Sequence, residues 1–216
     1  MHPHRHRALA VLLACAAALP LPVAALEIRL ASPAAPAASA SALDTTAHQT
    51  VRLLIEPFAE RRAGDPATLG QLERDGKPPE PVTTSDEVAA WVTDRVFATL
   101  EAAGLPAVDA RQLARWGAKI VDPERPVLAV RGELLELSVV ETRTLDAAVR
   151  LGVTIEGADG KRLWTGSATG HAGRSARSYK PEEHALTLSD ALDEAIGQLL
   201  RSTSFVDALR GAAPTP

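Results

Sequence analysis

Residues 145–174 carry the pattern that most narrows the fold. Ala147, Val149, Leu151, Val153 and Ile155 alternate with Ala148, Arg150, Gly152, Thr154 and Glu156. A side-chain period of two places the first set on one face of a strand and the second on the other, one buried and one wet. Gly157-Ala158-Asp159-Gly160 then reads as a tight turn, with Lys161 to Gly170 pairing back as a hairpin. Upstream, Val127 to Val140 is a long strand whose phase breaks. Leu128 and Val130 share one parity, while Leu135, Leu137 and Val139 share the other. Such a flip requires one extra residue, and Gly132 is the expected place for the bulge. The three strands predict an antiparallel meander with one apolar face that something else must cover.

Two amphipathic helices are the expected cover. Thr84 and Glu87 have the spacing of a capping box, so a helix is expected to open there. Val88, Trp91, Val92, Val96, Leu100 and Ala103 follow at helical spacing, and Gly104 supplies the stop. Leu188, Leu192, Ala195, Ile196, Leu199 and Leu200 form the apolar face of the last helix, with Asp190, Asp193, Glu194 and Gln198 opposite. Between these elements, Val51 to Glu56 predicts a short strand stopped by Pro57. Leu105 to Asp109 predicts another, and Asp109 caps a brief helix running to Trp116. Phe58 to Val82 is rich in Gly, Pro and charge and is expected as a long loop. Gly170 to Pro181 is expected as a mobile loop or fraying edge strand. The predicted class is α+β: an antiparallel sheet, made of the meander plus an N-terminal strand, with two amphipathic helices packed on one face.

The first 25 residues read as an export signal. Arg5 and Arg7 precede an apolar run from Ala8 to Leu19, Pro20 and Pro22 break it, and Val23-Ala24-Ala25 offers small residues for cleavage. In a second reading, Leu12-Leu13-Ala14-Cys15 is a lipobox and Cys15, the only cysteine, is acylated. Neither leaves a membrane-spanning helix. The expected layout is a signal peptide over 1–25, a flexible Ala/Ser/Pro-rich linker over 26–50, a single domain over 51–210 and a tail over 211–216. The linker could act as a spacer from a membrane if Cys15 carries lipid.

Composition limits the chemistry. Losing residues 1–25 removes two arginines and no acid, taking the formal charge from −4 to −6. An acidic domain with scattered basic residues does not suit nucleic acid. Aromatic residues make up 3% of the chain, too few for a stacked carbohydrate platform. Beyond the leader's His2, His4 and His6, only His48, His171 and His184 remain, too dispersed for zinc-ligand spacing. No nucleophile elbow or phosphate loop occurs, so no cofactor or metal is expected. The strongest hydrolase candidates, His171, Asp159 and Ser167, lack any supporting spacing. Trp164 is expected as a cross-strand packing residue.

One constellation stands out. Glu60-Arg61-Arg62 directly follows the first predicted strand, either as a salt-bridged strand exit or as a loop presenting guanidinium groups to an anionic partner. The run Val51-Arg-Leu-Leu-Ile-Glu-Pro-Phe-Ala-Glu-Arg-Arg, closing on Leu69-Gly70, resembles the opening of the YajG-like family of bacterial lipoproteins. Val130-Arg-Gly132-Glu-Leu134-Leu-Glu136, the alternating strand after it and Leu163-Trp164-Thr-Gly166 extend the resemblance over about residues 51–202. Glu60 stands where that family has Asp. The layout is also similar to the ABC-transport auxiliary lipoproteins. The resemblance implies a non-enzymatic accessory protein of the Gram-negative envelope, in the periplasm or at the outer membrane. Its expected partner is an envelope protein or transporter component, with membrane contact through a lipid anchor. A periplasmic ligand-binding module, with a pocket between the helices and the long loop, is the alternative, and a hydrolase a further one.

Overall fold

The computed structural model describes residues 25–30, 51–117, 125–175 and 180–211; the leader up to residue 24, with Cys15, lies outside these residues. In chain order the elements are β1 (Leu26–Glu27), β2 (Arg52–Ile55), β3 (Ala59–Glu60), β4 (Thr68–Leu72), β5 (Glu80–Thr83) and α1 (Val88–Ala102). There follow β6 (Ala107–Asp109), α2 (Ala110–Trp116), β7 (Val127–Glu141), β8 (Leu145–Glu156), β9 (Arg162–Arg174), α3 (Pro181–Arg201) and α4 (Thr203–Gly211).

The antiparallel meander β7–β8–β9 forms as its alternation requires. Leu145, Ala147, Val149, Leu151, Val153 and Ile155 of β8 are all buried. The bulge, however, sits at Leu135, where the β7–β8 register shifts between Leu134 and Glu136, and not at Gly132. Gly132 has another reason: a Cβ there would stand 2.1 Å from the ring of Phe58, which packs flat onto the strand.

The sheet is mixed, not antiparallel throughout. One edge of β7 pairs with β8; the other takes β2, β3 and β4 in succession, all parallel, and β6 is parallel to β2. The meander's connections are short enough to reverse the chain, whereas β2 reaches β6 only after the α1 crossover, which returns the chain in the same direction. The stretch expected as a long loop therefore contains β3, β4 and β5, with β4 and β5 antiparallel to each other. β9 runs on to Arg174, so the first half of the expected mobile loop is strand.

Residues 26–30, expected to open a linker, belong to the fold. β1 pairs in parallel with β5, the Ile28 amide donates to the Thr83 carbonyl at 2.8 Å, and Ile28 and Leu30 are buried. Residues 31–50 consequently connect two strands of one sheet and cannot separate an anchor from the domain.

Helices α1 and α3 cover the same face, and their predicted apolar positions are buried without exception. α4 extends the cover with Phe205 and Leu209; it occupies residues assigned to no element from sequence. The predicted capping box does not form. α1 begins at Val88, and Thr84 Oγ1 instead accepts from the Asp86 amide at 3.1 Å. Asp86 in turn accepts from the Leu30 amide at 2.8 Å, so the side chains expected to cap a helix fasten β1. Gly104 does end the helix, at φ +77°, and Asp109 does cap α2 through the Arg111 amide.

Candidate functional site

The Glu60–Arg62 segment is brought to the middle of β7. Ala59 and Glu60 pair with Glu133 and Leu134, and the Arg61 amide donates to the Leu134 carbonyl at 3.0 Å. Arg62 turns inward with its side chain only 8% exposed. Its Nε and Nη2 each reach a Glu60 carboxylate oxygen at 2.9 Å. Nη2 also donates to the Pro66 carbonyl at 2.8 Å, and Nη1 to the Thr68 carbonyl at 3.2 Å and the Leu137 carbonyl at 3.5 Å. Those contacts match the five N–H bonds of a guanidinium. Burial works against the Glu60 charge, yet the hydrogen bonds from Arg62 and its proximity hold that carboxyl below the usual glutamate range. Arg62 thus closes the 61–68 loop onto β7. Arg61 alone points outward, 61% exposed, with its Nε 3.4 Å from Glu133.

Leu69-Gly70, the end of the same motif, has an equally physical basis. Leu69 is buried, and a Cβ on Gly70 would lie 1.8 Å from the Val139 carbonyl oxygen where β4 meets β7. Only glycine permits that approach.

Past Gly70, the β4–β5 turn and the β7–β8 turn frame an open cleft of about 770 Å³, lined by Glu73, Arg74, Asp75, Lys77, Glu141 and Arg143 among others. The Glu73 amide donates to the Glu141 carbonyl at 2.7 Å, tying the turns together. Behind the cleft lies His184 on α3, 1% exposed. A carbonyl only accepts, so Nδ1, 3.0 Å from the Lys180 carbonyl, carries the hydrogen, which leaves Nε2 facing a Glu141 oxygen at 2.9 Å.

Several other charged side chains are drawn into structural pairs. Arg95 of α1, nearly buried, lies bidentate on Asp193 of α3 and joins the two helices. Arg111 pairs with Asp94 and Asp109, tying α2 to α1. Burial opposes the Asp109 charge, but hydrogen bonds from Arg111 keep its carboxyl below the ordinary range. On the sheet face away from the helices, Arg131 bridges Glu56 and Glu156, and the hydrogen bond to Glu56 raises its guanidinium further.

The hydrolase candidates are not assembled. Asp159 lies in the β8–β9 turn, while Ser167 and His171 are four residues apart on β9, roughly 13 Å along a strand. Trp164 packs edge-on against Phe205, with centroids 5.3 Å apart, and donates to Ser204; its partners are on α4, not across the sheet. Among the described residues, no three His, Cys, Asp or Glu side chains converge as metal ligands, and no helix is long and apolar enough to cross a membrane.

Sequence reasoning missed His184, the Arg95–Asp193 pair and the cleft. The pair was visible in outline: Arg95 sits between Trp91 and Thr99 on the apolar face of α1, and an arginine there demands an acid. The helical pattern of α3 alone sets Asp193 on its polar face, which hides its role as that acid.

No protein-family model matches the chain, and no curated protein matches it. Solved structures of similar outline include a Xanthomonas campestris protein of the DUF330 family, 12% identical, with a TM-score of 0.49 over 85% of this chain and 93% of that one. The PelC dodecamer from Paraburkholderia phytofirmans is 13% identical, with a TM-score of 0.42 over 70% and 87%. A lipoprotein from Neisseria meningitidis is 13% identical, with a TM-score of 0.35 over 70% and 99%. Likeness at this level is one of chain outline.

Proposed function

We propose that the chain is a non-enzymatic accessory protein of the Gram-negative envelope, of the YajG-like kind, acting by binding protein or lipid. One observation carries the reading: among the described residues the first strand starts at Leu26, the residue that directly follows the expected leader, with Ile28 and Leu30 already in the core. An export signal that abuts a folded domain can be removed or acylated upstream without damaging the sheet. The disposition of charge agrees, since Arg62, Arg95 and Arg111 hold elements together and are not gathered around a reacting centre.

The test is fractionation of the full chain in a Gram-negative host, with intact mass and in-cell crosslinking. Recovery from the envelope, crosslinked to one envelope component, is expected. Retention in the cytoplasm refutes the location. Turnover of a model ester or phosphate that His171→Ala abolishes refutes the non-enzymatic role.

A further inference from the structure

We infer that the end of the domain formed by the 73–79 and 142–144 turns faces a lipid bilayer, with Lys77 and Arg143 set against lipid phosphates. This rests on the envelope reading and on acylation of Cys15, and adds to them an orientation and a contact surface.

The direction of β1 fixes the entry point. Leu26 pairs with Val82 and Glu27 with Thr83 in parallel, so the chain before Leu26 leaves the sheet on the side where β5 begins. β5 begins at Glu80, immediately after the 73–79 turn. The β7–β8 turn is at the same end, because β4 runs parallel to β7 and both finish there, at Leu72 and Glu141. Only residues 16–25 separate Cys15 from β1, a chain that spans at most about 36 Å when fully extended. The 31–50 stretch adds nothing to that reach, since it follows β1. β8, with its twelve residues, is about 40 Å long. A lipid on Cys15 therefore holds the 73–79 end near the bilayer, and the 157–160 turn at the other end stands away from it.

The surface presented there suits phosphate. Lys77 and Arg143 are exposed on opposite walls of the cleft and make no ion pair with a described residue, while Arg74 makes only a long contact, 3.8 Å, with Glu80. Two of the neighbouring acids are engaged: Glu73 accepts from Gln71 at 2.6 Å, and Glu141 faces His184. Asp75 is the acid left open. Arg and Lys near an anionic leaflet each contribute attraction that falls off within a Debye length, so they matter only at this end.

The experiment uses the full-length chain, acylated in its host and reconstituted into vesicles of phosphatidylethanolamine and phosphatidylglycerol. Acylation consumes the only native thiol, so Asp75→Cys and Asp159→Cys each offer a single labelling site with the same charge change. Fluorophores at the two sites are quenched by a headgroup quencher. Several-fold stronger quenching at position 75 is expected, falling when Lys77→Gln and Arg143→Gln are added. Equal quenching, or stronger quenching at 159, overturns the orientation. An unchanged ratio in the double variant overturns the assignment to the two cations. An exported chain beginning at Leu26 overturns the inference and leaves the accessory role standing, whereas a chain kept in the cytoplasm removes both.

Discussion

Gly170→Ala is expected to loosen α3 from the sheet. A Cβ at position 170 would stand 2.0 Å from the Ala191 carbonyl oxygen and 2.4 Å from the Ala195 amide nitrogen. Both atoms belong to the helix backbone, so no rotamer change relieves the clash and the helix must retreat by more than 1 Å. That movement opens the packing of Leu188, Leu192 and Ile196 on β8, all fully buried. Overpacking costs about 1–3 kcal/mol where side chains can adjust, and the upper end is expected against backbone. Two glycines of the same strand calibrate the effect. At Gly173 the nearest atom is Asp146 Oδ1 at 2.9 Å, the end of a side chain that can swing away. At Gly166 it is the Trp164 indole at 2.4 Å, which is free to move only by giving up its contact with Phe205. Replacing glycine in a strand by alanine is otherwise favourable by about 0.5–1 kcal/mol. The expected order of destabilisation is therefore 170, then 166, then 173, with position 173 near neutral. The net cost at position 170 is about 2 kcal/mol, so in urea, with a slope of about 2 kcal/mol per molar, Gly170→Ala lowers the midpoint by roughly 1 M. A midpoint for Gly170→Ala equal to that of Gly173→Ala refutes the close seating of α3 on β9.

Three further outcomes follow from the same contacts. Ile28→Ala costs about 2–4 kcal/mol in chemical denaturation, as for other fully buried aliphatics, whereas a residue of a flexible linker would cost nothing. Asp193→Asn leaves Arg95 buried without its acid and costs about 3 kcal/mol, and the paired change Arg95→Met with Asp193→Leu recovers most of it, as measured by a double-mutant cycle in thermal unfolding. Arg62→Met destabilises by about 1–3 kcal/mol at neutral pH through lost hydrogen bonds to a carboxylate. Because the folded Glu60 carboxyl lies below its ordinary 4.5, its contribution is complete above that value and is lost as pH falls through the depressed one. The gap between wild type and Arg62→Met should accordingly narrow between about pH 6 and about pH 3; a constant gap refutes the pairing.

The meander and the two covering helices were legible because each shows its period within a single element. Ala147 to Ile155 declares a strand without reference to anything else, and Leu188 to Leu200 a helix. What could not be read is what depends on a partner distant in sequence. β3, β4 and β5 are short and full of Gly, Pro and charge; β3 and β4 are strands because β7 offers them an edge, and β5 because it pairs with β4 and β1. Leu26, Ile28 and Leu30 do alternate with Glu27 and Arg29, but a period of two over five residues, running straight into an Ala/Ser/Pro-rich stretch, is too short to declare a strand by itself. The burial of Ile28 and Leu30 depends on Thr83 and Asp86, more than 50 residues away. Asp86 shows the same effect in reverse: local spacing favoured a helix cap around it, but the amide of Leu30 claimed its carboxylate. Among the candidate site residues, the pairing of Glu60 with Arg62 was within reach of sequence, and the inward turn of Arg62 toward three carbonyls was not.

The placement of charge also restricts where a partner can bind. The sheet face turned away from the helices is laced by Arg131 with Glu56 and Glu156, by Arg61 with Glu133 and by Arg150 with Glu136, so a partner docking there must break or bridge satisfied pairs. The β9 edge invites strand addition by its length, but Gln198 reaches across from α3 and accepts from the Thr169 amide at 2.7 Å, filling a ladder position in the middle of the strand. Exposed cations without an ion pair to a described residue stand at both ends of the sheet, Lys77 and Arg143 at the cleft between the 73–79 and 142–144 turns and Lys161 and Arg162 beside the 157–160 turn. Removing the plug separates the two kinds of surface. Gln198→Ala should free the Thr169 amide and promote concentration-dependent association through β9, detected by light scattering, without altering contacts made at the cleft. If association is unchanged, the edge is blunted by something other than Gln198, and Arg162 and Arg174 at the strand ends become the residues to test.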